Sequence, residues 1–218
     1  VSAYLAIETS SNLPAVALSV DGVVVFNSSI RSDPVGDTDI GALVAEALST
    51  GKVDARELTA VGVNTGPGGL GAVRSGVAFA NALTYALRIP VKGFNFFEIA
   101  GRELAGQTHS AILSVIPAAG ENVYLGLYRA GAVELARFGE PGAIASAFNC
   151  AKEVWAAGRL RKAAIGWLSE CVVHDSGVEA PDPATILSLI EEIPAESLGT
   201  WTQAEPLTET SAFFHVKT

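Results

Sequence analysis

One pattern occurs twice in this chain, and it restricts the fold more than any other feature. Tyr4 to Ile7 is an apolar strand followed by the polar turn Glu8-Thr9-Ser10-Ser11-Asn12. Ala15 to Val20 is a second strand, Asp21-Gly22 a type I′ hairpin signal, and Val23 to Ile30 a third strand. The layout returns as Ala111 to Ile116, the turn Pro117 to Asn122, Val123 to Tyr128, the tight turn Ala130-Gly131, and Ala132 to Phe138. Gly22 follows Leu5 by 17 positions and Gly131 follows Leu113 by 18. Two three-stranded meanders of near-equal spacing predict a duplicated α/β unit, with one lobe over 1–104 and another over 105–218. The weakly patterned tail 194–218 has no predicted place.

Helical patterns follow each meander. Asp37 to Ser49 sets Ile40, Leu43, Val44, Ala47 and Leu48 on one face. Ala60 to Asn64 reads as a short strand feeding Gly66-Pro67-Gly68-Gly69-Leu70-Gly71, then a helix from Ala72 to about Leu87. Val91 to Phe94 is the next strand and Phe96 to Leu104 the next helix. In the second half, Ala143 to Ala157 reads as helix and Ala163 to Trp167 as strand. Asp182-Pro183 supplies an N-cap and a first-turn proline for a helix reaching about Ile193. Strands alternating with helices predict a layered α/β fold.

Hydrophobic residues make up 49% of the 218 and charged residues 17%, with a mean hydropathy of +0.36. A surface so poor in charge is expected to be covered in part by another protein. The longest apolar runs, Val23 to Phe26 and Ala111 to Val115, are strand-length and far short of a membrane span. Val1 to Val20 alternates and carries Glu8, which reads as strands and not as a signal peptide. A soluble cytoplasmic protein is expected. The net charge of −9, without a Lys/Arg stripe, argues against this chain gripping a nucleic-acid backbone alone. Cys150 and Cys171 lack metal-type spacing and read as buried thiols.

Two turns carry the candidate chemistry. Gly66 to Gly71 matches G-x-G-x-x-G, but Val91 to Asn95, where a dinucleotide fold needs an acid, has none, and the feeding strand lies behind a meander. What remains is close backbone approach by Gly66, Gly68 and Gly69 with an anion at the following helix N-terminus, or a tight turn packed on a neighbouring segment. Glu8, Thr9 and Ser10 end a strand with a carboxylate and hydroxyls. They suit a hydrated Mg²⁺–phosphate contact, or equally a turn that satisfies its own backbone. The second meander's turn, Pro117-Ala118-Ala119-Gly120, lacks hydroxyls, so half of a nucleotide cradle is missing. His109, His174 and His215 are scattered, which predicts no metal centre. No P-loop and no G-x-S-x-G elbow occurs, and no catalytic residue is nominated.

The helix from Ala72 to Leu87 has Arg74 as its one formal charge and is apolar nearly all round. One face meets the sheet. The other is expected to meet a partner, or else the 37–49 helix of the same chain. The nominated interface comprises Ile40, Leu43, Val44, Val73, Gly76, Val77, Ala80 and Leu83.

These residues bear a resemblance. Leu5-Ala6-Ile7-Glu8-Thr9-Ser10-Ser11 with Val16-Ala17-Leu18 resembles the opening of the TsaB (YeaZ) family. Gly66-Pro67-Gly68, Val73-Arg74-Ser75-Gly76-Val77, Ala80, Leu83 and Leu87-Arg88-Ile89-Pro90-Val91 with Gly93 resemble its second signature. The resemblance covers residues 3–104 and implies a duplicated actin-like, Hsp70-like (RNase H-like) fold of two mixed-sheet lobes. The catalytic relative TsaD shares both motifs but carries a histidine pair where this chain reads Phe94-Asn95-Phe96-Phe97-Glu98. Glu8 stands where TsaB usually has Asp. The resemblance implies a non-catalytic scaffold with a TsaD-like catalytic subunit and a TsaE-like ATPase as partners, making threonylcarbamoyladenosine on tRNA. The charge-poor helix predicts a symmetric homodimer when alone, through this helix and the 37–49 helix; the acidic charge predicts tRNA reached only through the complex; and the depleted second turn predicts no cofactor beyond ATP/Mg at low affinity or in a complex. The rival reading is an actin-like-fold enzyme binding ATP by itself, a small kinase or carbamoyl transferase. A peptidase has no nucleophile–base set to support it.

Overall fold

The structure, a computed structural model, describes residues 2–11, 13–30, 39–108, 110–145, 148, 153–168, 171–200 and 202–215. Each half runs through the same order of elements. The first has β1 (Ala3–Glu8), β2 (Ala15–Val20), β3 (Val23–Asn27), α1 (Ile40–Gly51), β4 (Leu58–Asn64), α2 (Leu70–Leu87), β5 (Val91–Phe94) and α3 (Phe96–Ala105). The second has β6 (Ala111–Pro117), β7 (Val123–Arg129), β8 (Ala132–Gly139), α4 (Pro141–Ala145), β9 (Glu153–Ala157), α5 (Arg161–Trp167), β10 (Val172–Asp175) and α6 (Pro183–Glu191). A short α7 (Ala195–Leu198) and a 3-10 turn at Ala212–Phe214 follow. The two five-stranded sheets have matching orders, β3-β2-β1-β4-β5 and β8-β7-β6-β9-β10. In each, the meander is antiparallel and the remaining strands are parallel. The repeat predicted from the meanders therefore extends through both halves.

The hairpin turns match too. Asp21 and Gly22 have φ of 49° and 77°, and Ala130 and Gly131 have 51° and 86°. Paired left-handed residues give the type I′ twist that right-handed strands accept.

Compactness divides the chain differently from the contiguous lobes 1–104 and 105–218. One unit is Val1–Phe94 with Asp182–Pro206, the other Asn95–Pro181 with Leu207–Thr218. The cause is an exchange of helices. In the first unit, α1 and α2 pack over Leu5, Ile7, Leu18, Val61 and Val63 on one face of the sheet. The opposite face is covered by α6, from the far end of the sequence. Ile186 sits so close to Gly62 that a Cβ there would lie 2.5 Å from its Cγ2. Ser19 Oγ donates to Glu191, and Asn27 Nδ2 donates to Asp182, the α6 N-cap, at 2.8 Å. In the second unit, α4 and α5 cover Leu113, Val115, Leu125 and Val154. α3 covers Ile112, Ile116, Tyr124 and Tyr128 on the other face. The tail is placed as well, with Ala204 in the first unit's core and Phe214 in the second's.

Two expectations in the second half are corrected. The helix read over Ala143 to Ala157 is α4 followed, after residues mostly outside those described, by strand β9. The strand read over Ala163 to Trp167 is helix α5, and β10 had no prediction. β9 lies between β6 and β10 with Val154, Ala156 and Ala157 buried, so sheet burial overrides the helical preference of alanine. In α5 the buried Ala164 faces the core while Ile165 is exposed, a helical period too short to see in seven residues. In the first half, the strand read to Ile30 stops at Asn27, where a 3-10 turn begins.

If α6 is integral to the first unit, Ile186→Ala should destabilise it by about 2–5 kcal/mol, as deletions at fully buried positions do. Urea unfolding followed by hydrogen exchange in β1 and β4 reads this directly.

Candidate functional site

The parallel pairing of β1 with β4 sets Ile7 beside Val63, so Glu8 and Asn64 end the two strands side by side. The turns that follow, Thr9 to Ser11 and Thr65 to Gly69, consequently meet. Glu8 is 1% exposed and both of its oxygens are engaged. Oε1 accepts from the backbone N–H and the hydroxyl of Ser10, each at 2.5 Å, and Oε2 accepts from Asn64 Nδ2. Asn64 Oδ1 in turn accepts from the Gly66 N–H at 2.7 Å. The Gly69 N–H donates to the Ser10 carbonyl at 3.2 Å, tying the glycine turn to the first turn. A Cβ at Gly68 would lie 2.6 Å from that carbonyl oxygen, so this position requires glycine. The glycine turn is thus packed against the β1 turn, and Glu8 is the clasp between them.

Beyond the clasp the arrangement opens. Gly69 N-caps α2 without a side-chain bond, which leaves the first N–H groups of an 18-residue helix uncapped at its positive end. That end, with Gly68 and Gly69 partly or fully exposed, could receive an anion. Thr9, by contrast, points inward: its buried hydroxyl has no hydrogen-bond partner, and a Cβ at Gly76 would overlap it. Of the six nominated contact residues, Glu8, Thr9 and Ser10 are interior, Gly66 and Gly68 shape the turn, and Gly69 faces outward.

The second half has a counterpart with different chemistry. The Leu160 N–H donates to the Val115 carbonyl at 3.1 Å, as Gly69 does to Ser10. Arg161, at the start of α5, buries its guanidinium against Asp175 at 2.6 Å and Glu179 at 3.0 Å. The turn Pro117 to Asn122 closes on itself through Ala118 N–H to Asn122 O at 2.9 Å. Neither Asn64 nor Arg161 was singled out in the sequence. A polar residue ending an apolar strand just before Gly-Pro-Gly is a signal for Asn64; Arg161 has none.

The nominated interface is corrected. Leu43, Val44, Val73, Gly76, Val77 and Ala80 are buried in the first unit, and Ile40 and Leu83 are half-buried against that core. α1 and α2 cover the same face of the sheet, so the apolar residues first read as partner-facing are consumed internally. The outward face of α2 carries Gly71, Arg74, Ser75, Ala78, Ala82 and Tyr85. His174 lies 2.7 Å from Glu153 and stacks on Trp155, and His215 is bound to the Glu209 carbonyl. His109 and Cys150 lie outside the described residues. Among the described residues no metal-binding group of three His, Cys, Asp or Glu occurs, and no helix is long and apolar enough to cross a membrane.

A β-β-β-α-β-α-β-α unit used twice, with a glycine turn opening the helix after the fourth strand, defines a duplicated α/β protein. Residues 37–147, half of the chain, match the family described as TsaD: tRNA N6-adenosine threonylcarbamoyltransferase, and the chain belongs to that family. The tRNA N6-adenosine threonylcarbamoyltransferase of Clostridium novyi (strain NT) is 36% identical over 110 residues, which cover 43% of this chain and 32% of that protein. The one from Trichlorobacter lovleyi is 34% identical over 118 residues, covering 47% and 34%. The chain therefore spans about a third of the length of the curated relatives it matches. YeaZ from Pseudomonas aeruginosa is similar over 95% of this chain and 100% of its own, with a TM-score of 0.71 at 22% identity. A second structure, an uncharacterized protein with similarity to peptidase YEAZ from the same organism, gives the same score and identity. The fold throughout is that of the YeaZ (TsaB) proteins, as the two sequence motifs implied.

Burial pushes the Glu8 carboxyl above its ordinary value of 4.5, and the hydrogen bonds from Ser10 and Asn64 pull it only partly back. A carboxyl raised in the folded state favours folding most below 4.5, and this contribution is lost as pH rises through the raised value. Glu8→Gln should flatten that fall: a series of urea titrations from pH 4 upward should show the wild type losing stability that the variant does not.

Proposed function

We propose that this chain is a non-catalytic partner subunit in the formation of threonylcarbamoyladenosine on tRNA, and that it engages a TsaD-like catalytic subunit. The observation that carries this reading is the clasp: the one acid of the candidate cradle is sealed and fully hydrogen-bonded, leaving no carboxylate oxygen free for a hydrated metal ion. The stretch after β5 supports it, since Phe96 and Phe97 are buried core residues where the catalytic relative has its histidines. A TsaE-like ATPase completes the assembly, and the acidic chain meets tRNA only through its partners. In a reconstituted assay with the catalytic relative and tRNA, transfer should require both proteins. Transfer by this chain alone would overturn the reading.

The second reading, an enzyme binding ATP by itself, draws on the uncapped α2 N-terminus beside the glycine turn. Calorimetry should give weak or undetectable ATP binding. A sub-micromolar affinity, about −8 kcal/mol or better, would favour this alternative.

The outward face of α2 is the surface that fits both the partner and a second copy of the chain. Its small residues allow close helix approach, and a two-fold contact would need to bury at least about 1,200 Å². Ala78→Glu should leave the fold intact and abolish association in light scattering. Ala80→Glu should instead unfold the first unit, because Ala80 is 0% exposed and an unpaired charge there costs several kcal/mol.

A further inference from the structure

A recess opens at the far end of α2. Its volume is about 550 Å³, and it is lined by Tyr85, Ala86, Arg88 and Thr200. All four belong to the first compact unit. An 18-residue helix is about 27 Å long, so this recess and the Gly69 end of α2 are separate places. One wall is the last turn of the helix. The other is a piece of the tail that two contacts hold in position. On one side of Thr200, Lys92 Nζ donates to the Ser197 carbonyl at 3.4 Å. On the other, Asn81 Nδ2 donates to the Ala204 carbonyl and its Oδ1 accepts from the Ala204 N–H, each at 2.9 Å. The tail wall is thereby fastened on both sides of Thr200. A recess formed in advance, with a volume inside the range of about 300–1,000 Å³, has the dimensions of a small-molecule site.

The lining states what such a molecule must offer. Unbonded carbonyls at a helix C-terminus repel an anion, but here the Arg88 N–H donates to the Tyr85 carbonyl at 3.3 Å and the Ile89 N–H to the Thr84 carbonyl at 3.1 Å. Arg129 and Arg161 each hold a carboxylate, whereas among the described residues the Arg88 guanidinium has no ion-pair partner. No described carboxylate lines the recess. Tyr85 is 69% exposed and presents its ring at the mouth, where it ends the outward face of α2. A guanidinium fork fits a phosphate, a tyrosine ring stacks on a planar ring, and a threonine hydroxyl donates to a phosphate or sugar oxygen. A bare inorganic anion would leave Tyr85 unused. An uncharged ring would leave Arg88 unused.

We infer that this recess binds a nucleoside monophosphate, with the base stacked on Tyr85 and the phosphate on Arg88 and the Thr200 hydroxyl. The occupant is a free nucleotide, because the net charge of −9 works against an extended RNA backbone. The site is independent of the glycine turn and of the partner subunit reading. The test is a titration of the isotopically labelled full chain with AMP, followed through the backbone amides by nuclear magnetic resonance. The Arg88 and Thr200 amides should shift and saturate in the micromolar to millimolar range, and the Gly68 and Gly69 amides should not. Inorganic phosphate and adenosine should each bind at least about tenfold more weakly than AMP. Tyr85→Ala should weaken binding about fivefold or more, the worth of one stacked base, and Arg88→Ala about tenfold or more. Both side chains are exposed, so circular dichroism should show both variants folded. Shifts confined to Gly68 and Gly69 overturn the inference, as does phosphate binding as tightly as AMP, or binding that survives Tyr85→Ala. A single-stranded oligonucleotide that binds more tightly than AMP at the same amides overturns the free nucleotide in favour of RNA.

Discussion

A five-stranded sheet has two faces, and each half of this chain supplies helices for only one of them. That shortage governs the architecture. The sheet of the first half carries Ala17, Ser19, Ala60 and Gly62 on its uncovered side, small enough for a helix to lie close. The helix that arrives is α6, held by Ile186 against Gly62 and pinned at both ends by Asp182 and Glu191. In return α3 crosses to the second sheet, where Gly101 lies against Tyr128 and Phe97 against Gly126. Glycine on the sheet faces glycine on the helix in neither place. In each contact one partner is absent so that a large side chain can enter, which is how two flat layers reach interior packing density.

The clasp at Glu8 follows from the same geometry. Parallel pairing of β1 and β4 brings two turns together without any direct hairpin, so something must join them across the strand ends. A carboxylate supplied with three donors does this at the cost of burying an acid. The arrangement holds the glycine turn in place and presents the α2 N-terminus outward. The clasp thus decides which polar groups of the two turns are consumed inside and which are left facing outward.

Much of the fold was legible. Period-two alternation with Asp21-Gly22 and Ala130-Gly131 gave both meanders nearly residue for residue, and the Asp182-Pro183 cap gave α6. What failed failed for identifiable reasons. Alanine-rich β9 and the short α5 exchange their apparent propensities, because burial between neighbouring strands decides one and a single buried stripe decides the other. The α2 face was misassigned since an all-round apolar helix does not reveal which side its own sheet takes. Glu8 reads identically whether it meets solvent, metal or serine. Only the depth of the turn, set by a strand some fifty residues on, distinguishes these.

The exchange of helices also has a temporal meaning. Ser19 and its partner Glu191 are 172 residues apart. At a synthesis rate of about 5–20 residues per second, roughly 10–35 s separate their emergence from the ribosome. Throughout that interval the first sheet can form its meander and receive α1 and α2, yet one apolar side stays open to water. The nascent chain therefore passes through a half-covered sheet before α6 emerges, and a shielding factor or a slowed ribosome could act on this stage.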